Sequence, residues 1–185
     1  VRTGVSRGMA ENGHGMAMNE TAWYAHYAMA VFSFRIAILG SGGAGVMTVG
    51  SCLLSLAARF GLFGFFEKLF GPSVRGGEAM ALLTLSNSPT YQGTDEVDLV
   101  LGLDWEHAER FSADLMLSSS SVVLADEGLE LPKAFLAASP SVQRLPLAAL
   151  AKKASSRANM VALGFLANAL GFSIDAAQDS IAAEL

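Results

Sequence analysis

Residues 34–45 read FRIAILGSGGAG, and this stretch decides how the chain is organised. The apolar run Ile36-Ala37-Ile38-Leu39 stops at four glycines within six residues: Gly40, Gly42, Gly43 and Gly45. From Val46 an apolar pattern resumes with a different period. Val46, Val49, Leu53, Leu56 and Phe60 recur at spacings of three and four, which is one face of a helix. The spacing predicts a buried strand over 34–39, a tight loop, and a helix over 44–60 ended by Gly61. Glycines let a backbone approach a ligand closely. The start of the following helix presents unpaired N–H groups and a partial positive charge, which suits a phosphate-bearing group.

Beyond the helix, 62–66 reads as a second short strand and 67–77 as a polar, glycine-bounded loop. Residues 79–85 form a strand and Ser86-Asn87-Ser88-Pro89 a turn. The run VDLVLGL, 97–103, is almost uninterrupted apolar, as in a parallel strand covered on both faces. A helix over 106–117 follows, then a buried strand over 121–125 and a short strand over 142–145. A long helix over 156–170, apolar nearly all round, precedes a last helix over 175–184 with Ser173 as its N-cap. Alternating strands and helices give an α/β fold: a mainly parallel sheet flanked by helices, Rossmann-like, with the glycine-rich loop after its first strand. Ligands of such sheets bind beyond the carboxyl ends of the strands. The segments 40–45 and 67–77, with Asp104 and Asp126, should therefore gather along one edge. Both aspartates close buried strands and are read as caps.

The totals restrict the function. The chain has 185 residues, enough for one domain with a proper core. Hydrophobic residues make up 52% and charged residues 16%, an apolar balance that a large interface with a partner would account for. No apolar run reaches the length of a membrane span. The net charge of −5, without a basic stripe, argues against nucleic acid. The single cysteine, Cys52, excludes an intramolecular disulfide and a cysteine-ligated iron–sulfur cluster within this chain. The expected compartment is the cytoplasm. Residues 1–32 carry four of the eight methionines and two of the three histidines, His14 and His26, without helical or strand period. They are expected to be a poorly ordered leader and not a signal peptide. The domain is expected over 33–185, cut short within its last helix.

Gly40-Ser41-Gly42-Gly43-Ala44-Gly45 fits G-x-G-x-x-G between a strand and a helix, and Glu67 lies about twenty residues on, where a dinucleotide fold holds ribose hydroxyls. One reading is therefore a free-standing NAD(P)- or flavin-binding oxidoreductase. A tight turn that binds nothing fits the same residues. No lysine follows as in a P-loop.

The second loop, Gly71-Pro72-Ser73-Val74-Arg75-Gly76-Gly77-Glu78, bears on that choice. GSGGAGVMTVG and GPSVRGGEA, with VDLVLGLD (97–104), SVVLADE (121–127) and ANMVALG (158–164), together resemble the gamma subunit or gamma domain of the 2-oxoacid:ferredoxin (acceptor) oxidoreductases, of pyruvate and 2-oxoglutarate type. The resemblance runs from about Phe34 onward. Ala44 stands where the family usually has Gln. The resemblance implies a complex that oxidatively decarboxylates a 2-oxoacid to its acyl-CoA. In it, thiamine diphosphate, Mg²⁺ and iron–sulfur clusters sit on partner chains and ferredoxin takes the electrons. It implies that this chain is non-catalytic, contributes to the coenzyme A site and docks to those partners. Gly40, Ser41, Gly42, Gly43, Ala44 and Gly45 would face coenzyme A. Arg75 would pair with a phosphate or a partner carboxylate, and Asn159 would supply a hydrogen bond. Lys68 is a further cation near the second loop, and Phe63, Phe65, Phe66 and Phe70 cluster around it. A structural docking module whose glycine loop is only a turn is the remaining alternative.

Overall fold

The computed structural model describes residues 32–71, 77–91, 96–106 and 108–184. A six-stranded sheet has the order β2-β3-β1-β4-β5-β6. Its strands are β1 (Ser33–Ser41), β2 (Phe63–Phe70), β3 (Glu78–Ser86), β4 (Leu99–Gly102), β5 (Val122–Asp126) and β6 (Ser141–Leu145). β1, β4, β5 and β6 are mutually parallel. β3 lies antiparallel between β1 and β2, so β2 runs in the same direction as β1. The sheet is thus mainly parallel with one reversed strand beside its centre. That reversal answers to the short β2–β3 connection, which turns the chain straight back.

Among the described residues there are four α-helices: α1 (Val46–Arg59), between β1 and β2, then α2 (Leu147–Lys153), α3 (Ala158–Ala169) and α4 (Ile174–Glu184) after β6. Alternation along each strand separates two cores. Ile36 and Ile38 of β1 face the helices, where Val49, Leu53 and Leu56 of α1 meet Leu163 and Leu166 of α3. Ala37 and Leu39 face the other side, where Val100, Val123, Trp105, Phe111 and Phe135 close the second core. On that second face the segment 106–117, expected as a helix, forms only a short 3-10 helix, Ala108–Asp114. A second 3-10 turn, Lys133–Leu136, sets Phe135 against Trp105 with ring centroids 5.0 Å apart. Gly102 has no room for a side chain because the Trp105 ring lies over it.

β2 is longer than its sequence pattern suggests. Residues 67–70, assigned to the loop, continue the strand to Phe70 and pair with β3. As an edge strand, β2 needs a good pairing partner more than an apolar run, and the length of β3 supplies it. The expected helix over 156–170 is α3, preceded by the separate α2. Ser173 Oγ accepts the Ala176 amide at 3.3 Å and starts α4 as expected.

Candidate functional site

The carboxyl ends of β1 and β2 and the amino end of β3 meet at one edge. The two glycine-containing loops touch there: the Gly42 amide donates to the Gly77 carbonyl at 2.6 Å. Asp104, just after β4, reaches the same edge. Its Oδ2 accepts the amide and the hydroxyl of Ser41, and its Oδ1 accepts the Glu106 amide at 3.2 Å. Asp126 closes β5 in a similar way, accepting the Gly128 amide at 2.9 Å and the Ala148 amide of α2 at 2.7 Å. Asp126 therefore caps α2, whereas Asp104 reaches no helix amide: it closes a turn at Glu106 and ties the glycine loop to the end of β4.

Within the loop the six residues divide by role. Gly40 is buried, and a Cβ there would sit 3.0 Å from Val46 and 3.1 Å from Ala44. Ser41 is held by Asp104, and Ala44 packs against the helix-side core. These three shape the turn. Gly42, Gly43 and Gly45 instead line an open groove of about 740 Å³. Gly43 and Gly45 have φ of 101° and 88°, the left-handed region that side chains rarely adopt. A Cβ on Gly45 would also run into the carboxamide of Asn159, so the start of α1 and the start of α3 abut without space for a methyl group.

The opposite wall comes from the turn between α2 and α3, with Ser155, Ser156 and Arg157, and from the first turn of α3, with Asn159 and Met160. Asn159 is 7% exposed, borders the groove, and hydrogen-bonds through its carboxamide to no group among the described residues. Arg157 is exposed and pairs with no carboxylate among them. α1 and α3 begin without a side-chain cap and without an acidic residue in the first turn. Thr48 and Phe70 complete the rim, the latter 63% exposed.

Sequence reasoning does not find Arg157, Ser155, Ser156 or Thr48 as groove residues. The apolar pattern starts the helix at Ser156, which places Arg157 inside it. The actual start at Ala158 leaves Arg157 as the N-cap residue, turned toward the loop. Arg75 lies outside the described residues, as do His14, His26 and His107. Lys68 is exposed, with its ammonium 5.2 Å from the centroid of the Phe66 ring. Phe66 packs on Gly50 of α1, whereas Phe63 is 45% exposed on the edge strand.

Glu67 requires a correction. It sits within β2, not at a strand end beside the glycine loop, and its carboxylate pairs with Arg35 at 3.1 Å. β1 is flanked by antiparallel β3 where a dinucleotide fold would place a parallel neighbour. The residues that would hold a ribose are thus engaged elsewhere. Among the described residues no group of three or more His, Cys, Asp or Glu could hold a metal ion. None of their helices is long and apolar enough to cross a membrane.

Three solved structures share this fold. The chain matches 2-oxoglutarate:ferredoxin oxidoreductase from Magnetococcus marinus, solved with 2-oxoglutarate, coenzyme A and succinyl-CoA bound, at a TM-score of 0.69 and 24% identity. That match covers 80% of this chain and 26% of the other, so the chain spans about a quarter of that relative. It matches the keto/oxoacid ferredoxin oxidoreductase gamma subunit from Geobacter sulfurreducens at 0.64 and 24% identity, covering 83% and 86% of the two chains. A pyruvate oxidoreductase subunit from Thermotoga maritima matches at 0.60 and 17% identity, covering 82% and 90%. No curated protein matches the sequence. The family model for pyruvate ferredoxin/flavodoxin oxidoreductase matches residues 35–185, which takes in both loops, the groove and all four helices, and the chain belongs to that family.

Proposed function

We propose that this chain is the gamma-type part of a 2-oxoacid:ferredoxin (acceptor) oxidoreductase, which converts a 2-oxoacid of the 2-oxoglutarate or pyruvate class to its acyl-CoA. In this reading the chain holds coenzyme A and docks to its partners, and it carries no catalytic residue. The carrying observation is the groove between the glycine loop and the start of α3, walled by Gly42, Gly43 and Gly45 on one side and Arg157 and Asn159 on the other. Its chemistry suits coenzyme A: unpaired helix-start amides and a guanidinium for phosphates, and exposed Phe70 with Met47 and Met160 for the adenine. The Magnetococcus marinus relative, which shares the fold, has coenzyme A and succinyl-CoA bound. Arg75 would add a second cation, toward the ligand or toward a partner carboxylate.

One cysteine cannot ligate a four-cysteine cluster. Iron–sulfur clusters are therefore assigned to partner subunits; the family reading places thiamine diphosphate and Mg²⁺ there too, in a cytoplasmic complex with ferredoxin as acceptor. Thiamine diphosphate would supply the carbanion chemistry of decarboxylation there. The test is co-purification of the tagged chain from its native host, followed by coenzyme A titration of the complex. Recovery of a partner bearing thiamine diphosphate and iron–sulfur, with coenzyme A turnover weakened by Gly43→Asp and Arg75→Ala, supports the reading. Unchanged coenzyme A dependence in those variants would reduce the chain to a docking module.

A further inference from the structure

We propose that the outer edge of β2 pairs with the same strand of a second copy of this chain, antiparallel about a two-fold axis, so that the two sheets join into one. This inference stands apart from the coenzyme A reading.

The first observation is how differently the sheet ends on its two sides. A sheet edge offers a row of unpaired N–H and C=O groups, and chains that stay single blunt it with short strands, charges, prolines or bulges. β6 follows that pattern. It has five residues, SVQRL, and its Arg144 donates to the carbonyls of Asp126 and Leu129. β2 does not. It has eight residues, FGFFEKLF, without proline, and its one-for-one register with β3 runs along the whole strand without a bulge. Of its two charged side chains, Glu67 is paired with Arg35 and the Lys68 ammonium lies over its own Phe66 ring. Phe63 at one end is 45% exposed and Phe70 at the other 63%.

The second observation is the strand read against itself. A two-fold axis perpendicular to the sheet leaves each residue on its own face, so opposed residues must share a face. Centring the axis on Glu67 or on Lys68 would set like charges directly opposite each other, which is destabilising. Centring it on Phe65 leaves Lys68, Leu69 and Phe70 unpaired. Centring it on Phe66 pairs the strand from Phe63 to Leu69. Phe66 then faces its counterpart, Phe63 faces Leu69, Phe65 faces Glu67 and Gly64 faces Lys68. No like charges are opposed, and each Glu67 keeps its own Arg35. Phe70 stays outside the paired segment, at the groove.

The third observation is clearance. α1 packs across β1, β3 and β2, so it lies over β3. Three strand spacings of about 4.8 Å would hold it about 14 Å from α1 of the second copy. Packed helices approach to roughly 8–10 Å, so neither helix obstructs the joined sheet.

Sedimentation equilibrium of the full chain tests this, and the wild-type chain should be a dimer at micromolar concentration. Phe65→Glu sets carboxylates opposite each other at two places and should weaken association about tenfold. Phe65→Lys sets an ammonium opposite each Glu67 and should associate at least as tightly as the parent. Circular dichroism checks that both variants fold. Opposed residues have Cα atoms about 4.5–5.5 Å apart, within reach of a disulfide. The double variant Phe63→Cys/Leu69→Cys should therefore form a covalent dimer on oxidation, both alone and in the complex recovered with its partners, and neither single variant should. Cys52 is buried and does not compete. A wild-type chain that stays monomeric would overturn the proposal, as would a dimer that Phe65→Glu and Phe65→Lys weaken equally. Cross-linking of the double variant alone but not in the complex would also overturn it, and would give the edge to a partner subunit.

Discussion

A single carboxylate oxygen of Asp104 accepts both the amide and the hydroxyl of Ser41, at 2.8 and 2.7 Å. The last residue of β1 is thereby tied to the residues following β4, and the glycine loop leaves the sheet at a fixed angle. Asp104→Ala removes two charge-assisted bonds at once and leaves a partly buried amide unpaired. The expected loss is about 2 kcal/mol of stability, a fall of about 4–8 °C in melting temperature for a domain of this size. Asp104→Asn keeps an acceptor and should retain more than half of that stability. Differential scanning calorimetry of the two variants decides the matter. An alanine variant as stable as the parent would show that the loop is fixed by something else.

Gly45 and Asn159 are the second such pair. Gly45→Ala meets both a φ of 88° and the Asn159 carboxamide. The backbone strain alone costs about 1–2 kcal/mol. The steric part depends on Asn159, so the two positions should be coupled. Asn159→Ala in the Gly45→Ala background should recover at least about 1 kcal/mol relative to additivity, measured by urea denaturation of the full cycle. Additive behaviour would mean that the two helix starts are not in contact in solution.

These pairs mark where the sequence was legible. β1, the loop and α1 could be read from FRIAILGSGGAG because period and glycine content change sharply at Leu39 and Val46. Asp126 can be read as a cap because it follows an apolar run; Asp104 follows one too, but it is taken up by Ser41 across the sheet edge. Asn159 came from resemblance, not from periodicity. The direction of β3 could not be read: an apolar run such as AMALLTL looks the same in either sense, and only the short connection after Phe70 dictates the reversal. Glu67 was misplaced for the same reason, since counting about twenty residues from the loop assumes a parallel neighbour for β1. Arg157 was hidden because Ser156 looks like a better helix start than Arg157. The α2–α3 turn that moves it to the groove is formed by Ser155 in a left-handed conformation, which serine does not advertise.

Glu67→Ala separates the two readings of the loop directly. The carboxylate faces Arg35, which is 12% exposed and whose amide also donates to Asp98 at 2.8 Å. Removing it strips a mostly buried guanidinium of its ion-pair partner, at an expected cost of about 1–2 kcal/mol in stability. Coenzyme A affinity should not change, because β2 holds this residue away from the groove walls. A loss of nucleotide binding in a variant that is otherwise folded would revive the dinucleotide reading.

Phe63 and Phe70 stand at opposite ends of β2, paired with Ser86 and Ala79 respectively, and both expose their rings. Only Phe70 borders the groove. An exposed ring contributes little to folding, so both alanine variants should unfold within about 0.5 kcal/mol of the parent. Their ligand affinities should differ. Stacking of a base on an aromatic ring is worth about 1–3 kcal/mol, and about 1.4 kcal/mol is tenfold in affinity. Phe70→Ala is therefore expected to weaken coenzyme A by about tenfold, and Phe63→Ala to leave it alone. Pantetheine phosphate, which lacks the adenine, supplies the control: its affinity should be the same in Phe70→Ala as in the parent. If Phe70→Ala weakens coenzyme A and pantetheine phosphate equally, the ring serves the groove's shape and not the base. If it weakens neither, the exposed ring belongs to the docking face, and the adenine lies elsewhere.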